Sequence, residues 1–311
     1  MNKKIIAALI AIFVSVPLTA QANIKNKTTL LPSLAVIDTA INSAQPELKG
    51  KVVYEVCFTH KATCPNKQNF MEGTGAAALP LNLISKNGFD HGTQMVSAAI
   101  SANPDMNIVF IRIVGTKPNG TREIVPTDLI ANAINWAVSN SSKYNIKAIS
   151  MSQGHHNLGV AGSDYCPKNA PAVTDAVNSA SARDLPVFFA TGNNWDSARI
   201  DWPSCIPGSI AVAGLDKDGY IGGWSNFDTN LVDFVDLGDF NVTSPNGSTV
   251  RMVGTSLSTQ FAAAKWIRVS SFKSNLTYSQ IYELLAKTST STRGVKVTTN
   301  RVINIQGALN G

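Results

Sequence analysis

Three polar residues, an aspartate, a histidine and a serine, are of the types that together can make a serine hydroxyl a nucleophile. Asp38 follows the apolar run 34–37, and His91 begins a small-residue helical segment. Ser256 lies in segment 254–259, which opens another predicted helix. A serine hydroxyl needs a base to take its proton, and an imidazole held by a buried carboxylate is such a base. Each residue alone is more simply a turn former or a helix cap, so the chemistry depends on their joint occurrence.

The elements that must position these residues alternate in type. Short β-branched runs predict strands at 34–37, 107–113, 146–151, 186–190 and 209–213, and helical spacing predicts helices at 91–100, 127–140, 170–183 and 278–287. Thr277 is a predicted cap for the last of these helices. Such alternation predicts one domain, with a parallel sheet covered by helices on both faces and the site at the carboxyl ends of the strands. Residues 57–87 lack a clear period and are predicted to form a long loop with a hairpin.

These segments resemble the signature blocks of the subtilisin-like serine peptidase (subtilase, peptidase S8) family. The resemblance rests first on the blocks around Asp38, His91-Gly92-Thr93 and Ser256, in that order. The family is also resembled, in the same sequence order, by segments 146–154, 189–193, 202–213 and 223–227. It extends from about residue 34 to the C-terminus and implies a three-layer α/β/α subtilisin-like fold with a mostly parallel central sheet.

The resemblance also implies roles for individual residues. Asp38, His91 and Ser256 would be catalytic, and Asn193 would donate a hydrogen bond to the oxyanion together with the backbone N–H of Ser256. The substrate would be a peptide bound as an added strand. Its contacts would include Ser152, Gly154, Ala190 and Gly192, and the small side chains at 190–192 predict a primary pocket with room for a fairly large apolar residue. The implied activity is that of a secreted serine endopeptidase.

Three positions depart from the family pattern. Ala40 replaces a usual glycine, Gln94 a common histidine, and Gln260 the proline found four places after the nucleophile. None removes a group used in catalysis, but they keep open a catalytically weak or silent peptide-binding protein of the same fold. A secreted esterase would need a Gly-x-Ser-x-Gly elbow and the chain order Ser, Asp, His. Segment 254–258 lacks the second glycine, and the order along this chain is Asp, His, Ser.

The first 22 residues have the features of a signal peptide. Lys3 and Lys4 precede the apolar run 5–18, and Ala20 and Ala22 form a small-x-small cleavage site. Cleavage after Ala22 predicts a secreted or periplasmic peptidase domain over 23–311; the alternative is an uncleaved anchor. Residues 23–37 are too few to form an N-terminal propeptide, so we expect none. No later segment resembles a membrane span, and we expect a monomer that is not inserted in a membrane.

Four cysteines remain after the leader, and an exported protein favours disulfides. Three connectivities are open, of which we favour Cys57–Cys64 with Cys166–Cys205.

Charge and acidic residues suggest no further ligand. The formal net charge of +6 is scattered, which does not indicate a nucleic-acid partner. No cofactor is needed for the chemistry and no metal site is predicted, since His155 and His156 would point to opposite sides of an extended segment. His60 is predicted to be a solvated loop residue. A structural calcium site is conceivable at the acids Asp228, Asp233, Asp236 and Asp239, although they lack a recognisable ligand spacing.

Overall fold

A central eight-stranded sheet organises the computed structural model, which describes residues 30–160, 166–168, 170–293 and 301–311. The strands are β1 (Ser33–Asp38), β2 (Val52–Phe58), β3 (Phe70–Glu72), β4 (Asn107–Arg112), β5 (Ile146–Met151), β6 (His155–Val160), β7 (Val187–Ala190), β8 (Ile200–Trp202), β9 (Ile210–Leu215), β10 (Phe234–Leu237), β11 (Asp239–Thr243) and β12 (Thr249–Val253). The helices are α1 (Leu81–Ile84), α2 (His91–Ala102), α3 (Thr127–Ser139), α4 (Ser141–Tyr144), α5 (Pro171–Ser181), α6 (Thr255–Phe272), α7 (Tyr278–Thr288) and α8 (Ile305–Asn310).

The sheet is mostly parallel, as predicted. Its strand order is β10-β9-β7-β5-β1-β4-β2-β3, and only β3 runs antiparallel to its neighbour. Strand β1 therefore lies between β5 and β4 near the middle of the sheet, and its carboxyl end at Asp38 is surrounded by other strands. This placement keeps Asp38 fully buried while its side chain faces the edge at which parallel sheets carry their sites.

Helices cover both faces of the sheet and give the predicted three layers. Strand β1 illustrates the reason for this arrangement. Its side chains Ala35 and Ile37 pack in one apolar cluster, and Leu34 and Val36 pack in another. Side chains alternate along a strand, so a strand that is apolar at every position must be buried on both faces. Helices α3 and α5 supply residues to the first cluster, and α2 and α6 to the second.

Most predicted elements are present, and the elements that were not predicted are short strands and the short helices α1, α4 and α8. The predicted loop 57–87 contains the β2–β3 hairpin, but β2 begins earlier, at Val52. The two-stranded pairs β6–β8 and β11–β12 were not predicted, since short or half-exposed strands carry little periodicity. At the predicted cap Thr277, a capping box with Gln280 starts α7.

Both favoured disulfides are present. Cys57–Cys64 closes a short ring at the end of β2, and Cys166–Cys205 joins the short 3₁₀ turn before α5 to the segment after β8. We call residues 57–64 the cysteine loop. No helix within the described ranges is long and apolar enough to cross a membrane. The predicted leader, 1–22, lies outside the described residues.

The cysteine loop contacts the segment that follows β4. The Thr116 backbone N–H donates to Thr63 Oγ1 at 3.4 Å, and Lys61 pairs with Glu123 at 3.2 Å. His60 Nε2 lies 2.7 Å from Asp128 Oδ2. His60 was predicted to be a solvated loop residue, and this contact with Asp128 was not predicted. These three contacts join the cysteine loop to segment 116–128, which includes Arg122 at the border of the candidate site.

Candidate active site

The first pair of site residues is Asp38, at the end of β1, and His91, at the start of α2. His91 Nδ1 lies 2.8 Å from Asp38 Oδ1, which also accepts the Thr39 backbone N–H at 2.7 Å. A carboxylate can only accept hydrogen bonds, so the proton of the neutral imidazole sits on Nδ1. Nε2 is then left as the acceptor, which is the tautomer required of a general base.

Gly92 lets helix α2 come close enough for this contact. A Cβ at position 92 would lie 2.3 Å from the Ala40 carbonyl oxygen and 2.6 Å from the ring of Phe110. The Gly92 N–H also donates to Thr39 Oγ1 at 3.0 Å. Any side chain at this position would therefore push the helix away from the end of β1, and His91 away from Asp38.

The surroundings of His91 raise its pKa. Burial alone would lower the pKa, because it disfavours the charged imidazolium, but the charge of Asp38 and the hydrogen bond to it outweigh that effect. The positive charge of Arg122 lowers the pKa of His91, and the negative charge of Asp90 raises it. The net result is a pKa above the ordinary value of 6.5, which suits a group that must become protonated during reaction.

Ser256 is the second residue of α6, and it lines the same cavity as His91 and Asn193. It is 8 % exposed and lines that cavity. Within the described residues, no direct hydrogen bond joins Ser256 Oγ to His91. Such bonds are often long in unliganded sites and shorten when substrate binds.

Asn193 follows β7, and its side-chain amide has a defined orientation. Its Oδ1 accepts the Thr255 backbone N–H at 2.9 Å and the Thr255 hydroxyl at 3.1 Å. Because both partners are donors, the oxygen and nitrogen of the amide are distinguished. The Nδ2 group therefore remains available as a donor next to Ser256, which is what stabilisation of an oxyanion requires.

The cavity has a volume of about 300 Å³. All four predicted substrate contacts line it together with the candidate catalytic side chains. The lining residues that were predicted are His91, Ser152, Gly154, Ala190, Gly192, Asn193 and Ser256. Gln153 lies within the predicted edge 152–154, and the lining residues that were not predicted are Arg122, Asn194, Asp201 and Thr255.

Gln260, one of the departures from the family pattern, forms a buried connection between α6 and β5. Ser150 Oγ donates to Gln260 Oε1 at 2.8 Å, and Gln260 Nε2 donates to Ser152 Oγ at 3.1 Å. Ser152 Oγ in turn donates to the Ser256 carbonyl at 3.3 Å. The helix that carries Ser256 is thereby attached to the strand whose end forms one wall of the cavity.

Gln94, the second departure, makes hydrogen bonds beside His91. Its Nε2 donates to Asp90 Oδ2 at 3.0 Å and to Ser244 Oγ at 3.2 Å. Ala40, the third, is fully buried below Gly92.

The four acids considered for calcium have separate partners. Asp228 accepts backbone N–H groups of its own turn, and Asp233 accepts the hydroxyl of Tyr282. Asp236 pairs with Lys265, and Asp239 pairs with Arg251. The described part of the chain holds no cluster of three or more His, Cys, Asp or Glu side chains arranged to bind a metal. The ring of His155 packs against Trp202, and the side chain of His156 lies outside the described set.

The sequence matches the model of the subtilase family over residues 32–308. It is 25% identical over 264 residues to an intracellular serine protease of Paenibacillus polymyxa, an alignment covering 82% of this chain and 72% of that protein. It is 23% identical over 278 residues to subtilisin E of Bacillus subtilis (strain 168), covering 88% of this chain but 65% of the relative.

Solved structures with the same fold include a leader peptidase and the protease domain of PatA. The nisin leader peptidase NisP from Lactococcus lactis superimposes with a TM-score of 0.69 at 19% identity, covering 91% of this chain and 88% of that one. The protease domain of PatA gives a TM-score of 0.70 at 16% identity, covering 91% and 96%. The family match over most of the chain and the shared fold lead to one conclusion: this chain belongs to the subtilase family of serine endopeptidases.

Proposed function

We propose that this protein is an exported serine endopeptidase in which Ser256 is the nucleophile and His91 the general base. The observation that carries the proposal is the 2.8 Å contact between His91 and Asp38, in a cavity that also holds Ser256 and Asn193. A peptide-binding protein would gain nothing from placing a base, a nucleophile and an amide donor around one cavity.

In the first step, Ser256 Oγ attacks the carbonyl carbon of the scissile bond and its proton passes to His91 Nε2. Asp38 holds the imidazole and stabilises its positive charge. The negative oxygen of the tetrahedral intermediate accepts hydrogen bonds from Asn193 Nδ2 and the Ser256 N–H. The C–N bond then breaks, and His91 gives its proton to the leaving amine.

In the second step, water attacks the acyl group on Ser256. His91 takes a proton from that water, the ester bond breaks, and the proton returns to Ser256 Oγ. The chemistry uses side chains and backbone groups alone, and no cofactor takes part.

Export by the leader 1–22, with cleavage after Ala22 to give a monomeric peptidase, forms part of the proposal. The motif of the leader supports it, as do the two disulfides, which belong to oxidising compartments. N-terminal sequencing of the exported protein tests this part, and a start far from Asn23 would contradict it.

The catalytic assignment is tested by labelling the folded protein with a serine-directed fluorophosphonate. We expect label on Ser256 of the wild type and none on Ser256→Ala. His91→Ala should lower the rate of peptide hydrolysis by roughly 10⁶-fold, the size of loss known for this histidine's counterpart in subtilisin itself. A folded wild type that neither labels nor hydrolyses peptides would instead favour a silent peptide-binding protein.

A further inference from the structure

Three neighbouring cavities share Arg122 as a lining residue, on the border of the candidate site. The first, of about 300 Å³, holds His91 and Ser256. The second, of about 590 Å³, is bordered by Gly154, and the third, of about 430 Å³, holds His91 again. Arg122 is the only described residue that lines all three. A peptide lying across His91 and Ser256 therefore passes Arg122.

A short hairpin holds the backbone of Arg122. Thr116 and Arg122 pair as an antiparallel bridge. The side chain of the next residue, Glu123, pairs with Lys61 of the cysteine loop at 3.2 Å. Neighbouring side chains of an extended segment point to opposite sides, so the side chain of Arg122 points away from the cysteine loop and toward the cavities.

The side chain of Arg122 is exposed, and within the described residues it makes no hydrogen bond and no ion pair. Its Cζ lies 3.0 Å from the position that a Cβ on Gly88 would occupy, so the guanidinium group rests against a residue without a side chain. Three acids line the same cavities, and each is held by another residue. The pairs are Asp90 with Gln94, Glu123 with Lys61, and Asp201 with Asn226. The positive charge of Arg122 is thus available to a ligand.

Arg122 and the predicted primary pocket lie on different sides of a bound peptide. Gly154 and Gly192 line that pocket, and neither has Arg122 among the nearest atoms to its Cβ position. Arg122 instead lies against Gly88, and its charge acts on His91. Adjacent side chains of an extended peptide point to opposite sides. When one substrate side chain enters the primary pocket, the side chain of the residue before it, which we call the preceding residue, therefore faces Arg122.

We propose that Arg122 makes the enzyme prefer an acidic side chain, aspartate or glutamate, on the preceding residue. This preference rests on the proposed function, since the position is counted from the bond that Ser256 attacks. A planar guanidinium group can bind a carboxylate through two parallel hydrogen bonds, which add both energy and specificity. The bound peptide would also cover the pair and reduce its screening by water. A lysine at the same position would instead place two positive charges together.

The test uses peptides that differ only at the preceding residue, built on a sequence whose cleavage by this protein has been mapped by mass spectrometry. The measured quantity is the ratio of kcat/KM for glutamate to kcat/KM for glutamine, at a pH well above the midpoint set by His91. We expect glutamate to be favoured about tenfold in the wild type, as a charge-assisted hydrogen bond implies, and not to be favoured in Arg122→Gln. Arg122→Glu should reverse the preference, so that lysine is favoured over glutamate. Lys147→Gln removes a positive charge at the opposite end of the sheet and should leave the ratio unchanged.

The outcomes separate the acidic preference from the proposed function. Equal kcat/KM values for glutamate and glutamine in the wild type would overturn the preference while leaving the endopeptidase activity in place. A ratio that is unchanged in a folded Arg122→Gln protein would overturn the role of Arg122, and a preference for glutamate only at another position of the peptide would overturn the placement. If the folded wild type cleaves no peptide and takes no fluorophosphonate label, the proposed function itself is wrong and the preference fails with it. The wild-type ratio decides alone if a variant does not fold.

Discussion

The side chain of Gln260, inside the helix that carries Ser256, accepts a hydrogen bond from Ser150 of the central sheet at 2.8 Å. Gln260 is fully buried, and through Ser152 its hydrogen bonds reach the carbonyl group of Ser256. The position where the family usually has proline thus holds a polar connection between the helix and the wall of the cavity. Such a connection has consequences for both stability and turnover.

Gln260→Leu should lower the free energy of unfolding by about 1–3 kcal/mol, because it leaves the buried Ser150 hydroxyl without its acceptor. Hydrolysis should slow as well, since Ser152 loses the donor that fixes its hydroxyl against Ser256. Urea unfolding and steady-state kinetics measure the two effects. The exposed Gln306→Leu on α8 is the control and should change neither. Equal stability of Gln260→Leu and wild type would contradict this prediction.

Asn193→Ala should reduce kcat by about 10²–10³-fold with little change in KM, a figure that comes from the corresponding asparagine of subtilisin itself. The reason is that its Nδ2 donor acts on charge that exists only in the transition state. Thr255→Val removes one of the two donors that orient the amide but keeps the backbone one, so its loss should be smaller. A rise in KM with constant kcat would show that Asn193 binds the ground state instead.

The rate of hydrolysis should increase with pH around a midpoint above 6.5, because His91 must be unprotonated to act and its pKa is raised. Arg122→Gln removes a positive charge that opposes protonation, so the midpoint should move to higher pH. The profile of kcat/KM against pH measures this, with Lys147→Gln, at the opposite end of the sheet, as the control. A shift of the midpoint to lower pH in Arg122→Gln would refute the assignment of the midpoint to His91.

The same raised pKa has the opposite effect on stability. A pKa that is higher in the folded than in the unfolded state means that the folded protein binds the proton more tightly. The contribution of the His91–Asp38 pair to stability is therefore fully present below about pH 6.5 and is lost as the pH rises through the folded pKa. The difference in unfolding free energy between the wild type and His91→Ala should accordingly become smaller with rising pH.

The two disulfides should differ in their contribution to stability. They join residues 7 and 39 positions apart, and the entropy of closing a loop in the unfolded chain increases with its length. Replacing both cysteines by serine should cost about 2.5 kcal/mol for Cys57–Cys64 and about 4 kcal/mol for Cys166–Cys205. Urea unfolding of the two double variants gives the comparison, and a larger loss for the shorter ring would contradict the loop-length argument.

Much of the scaffold could be predicted from sequence because the signals were strong and local. Strand β1 is apolar at positions 34–37 and ends in Asp38, and Thr277 and Gln280 form a recognisable capping box. The candidate residues Asp38, His91 and Ser256 can be identified through their sequence neighbours. Gly92 is one of these, because its lack of a side chain allows the close approach to Ala40.

What could not be predicted depends on contacts between distant segments. Asp201 precedes the 202–213 block without any local feature that assigns it to a pocket, and only the folded chain brings it against Gly192. Gln260 was seen as a departure from the family, but its partner Ser150 lies 110 positions away. Short strands such as β8 were missed because three residues are too few to show a period.

The cysteine loop holds the segment that leads to Arg122 by three side-chain contacts made outside the central sheet. The border of the cleft thus contacts a small covalent ring, whereas the His91–Asp38 contact depends on a strand and a helix in the interior. We therefore expect substitutions within that ring to alter the border of the cleft near Arg122 while leaving the strands and helices of the interior unchanged.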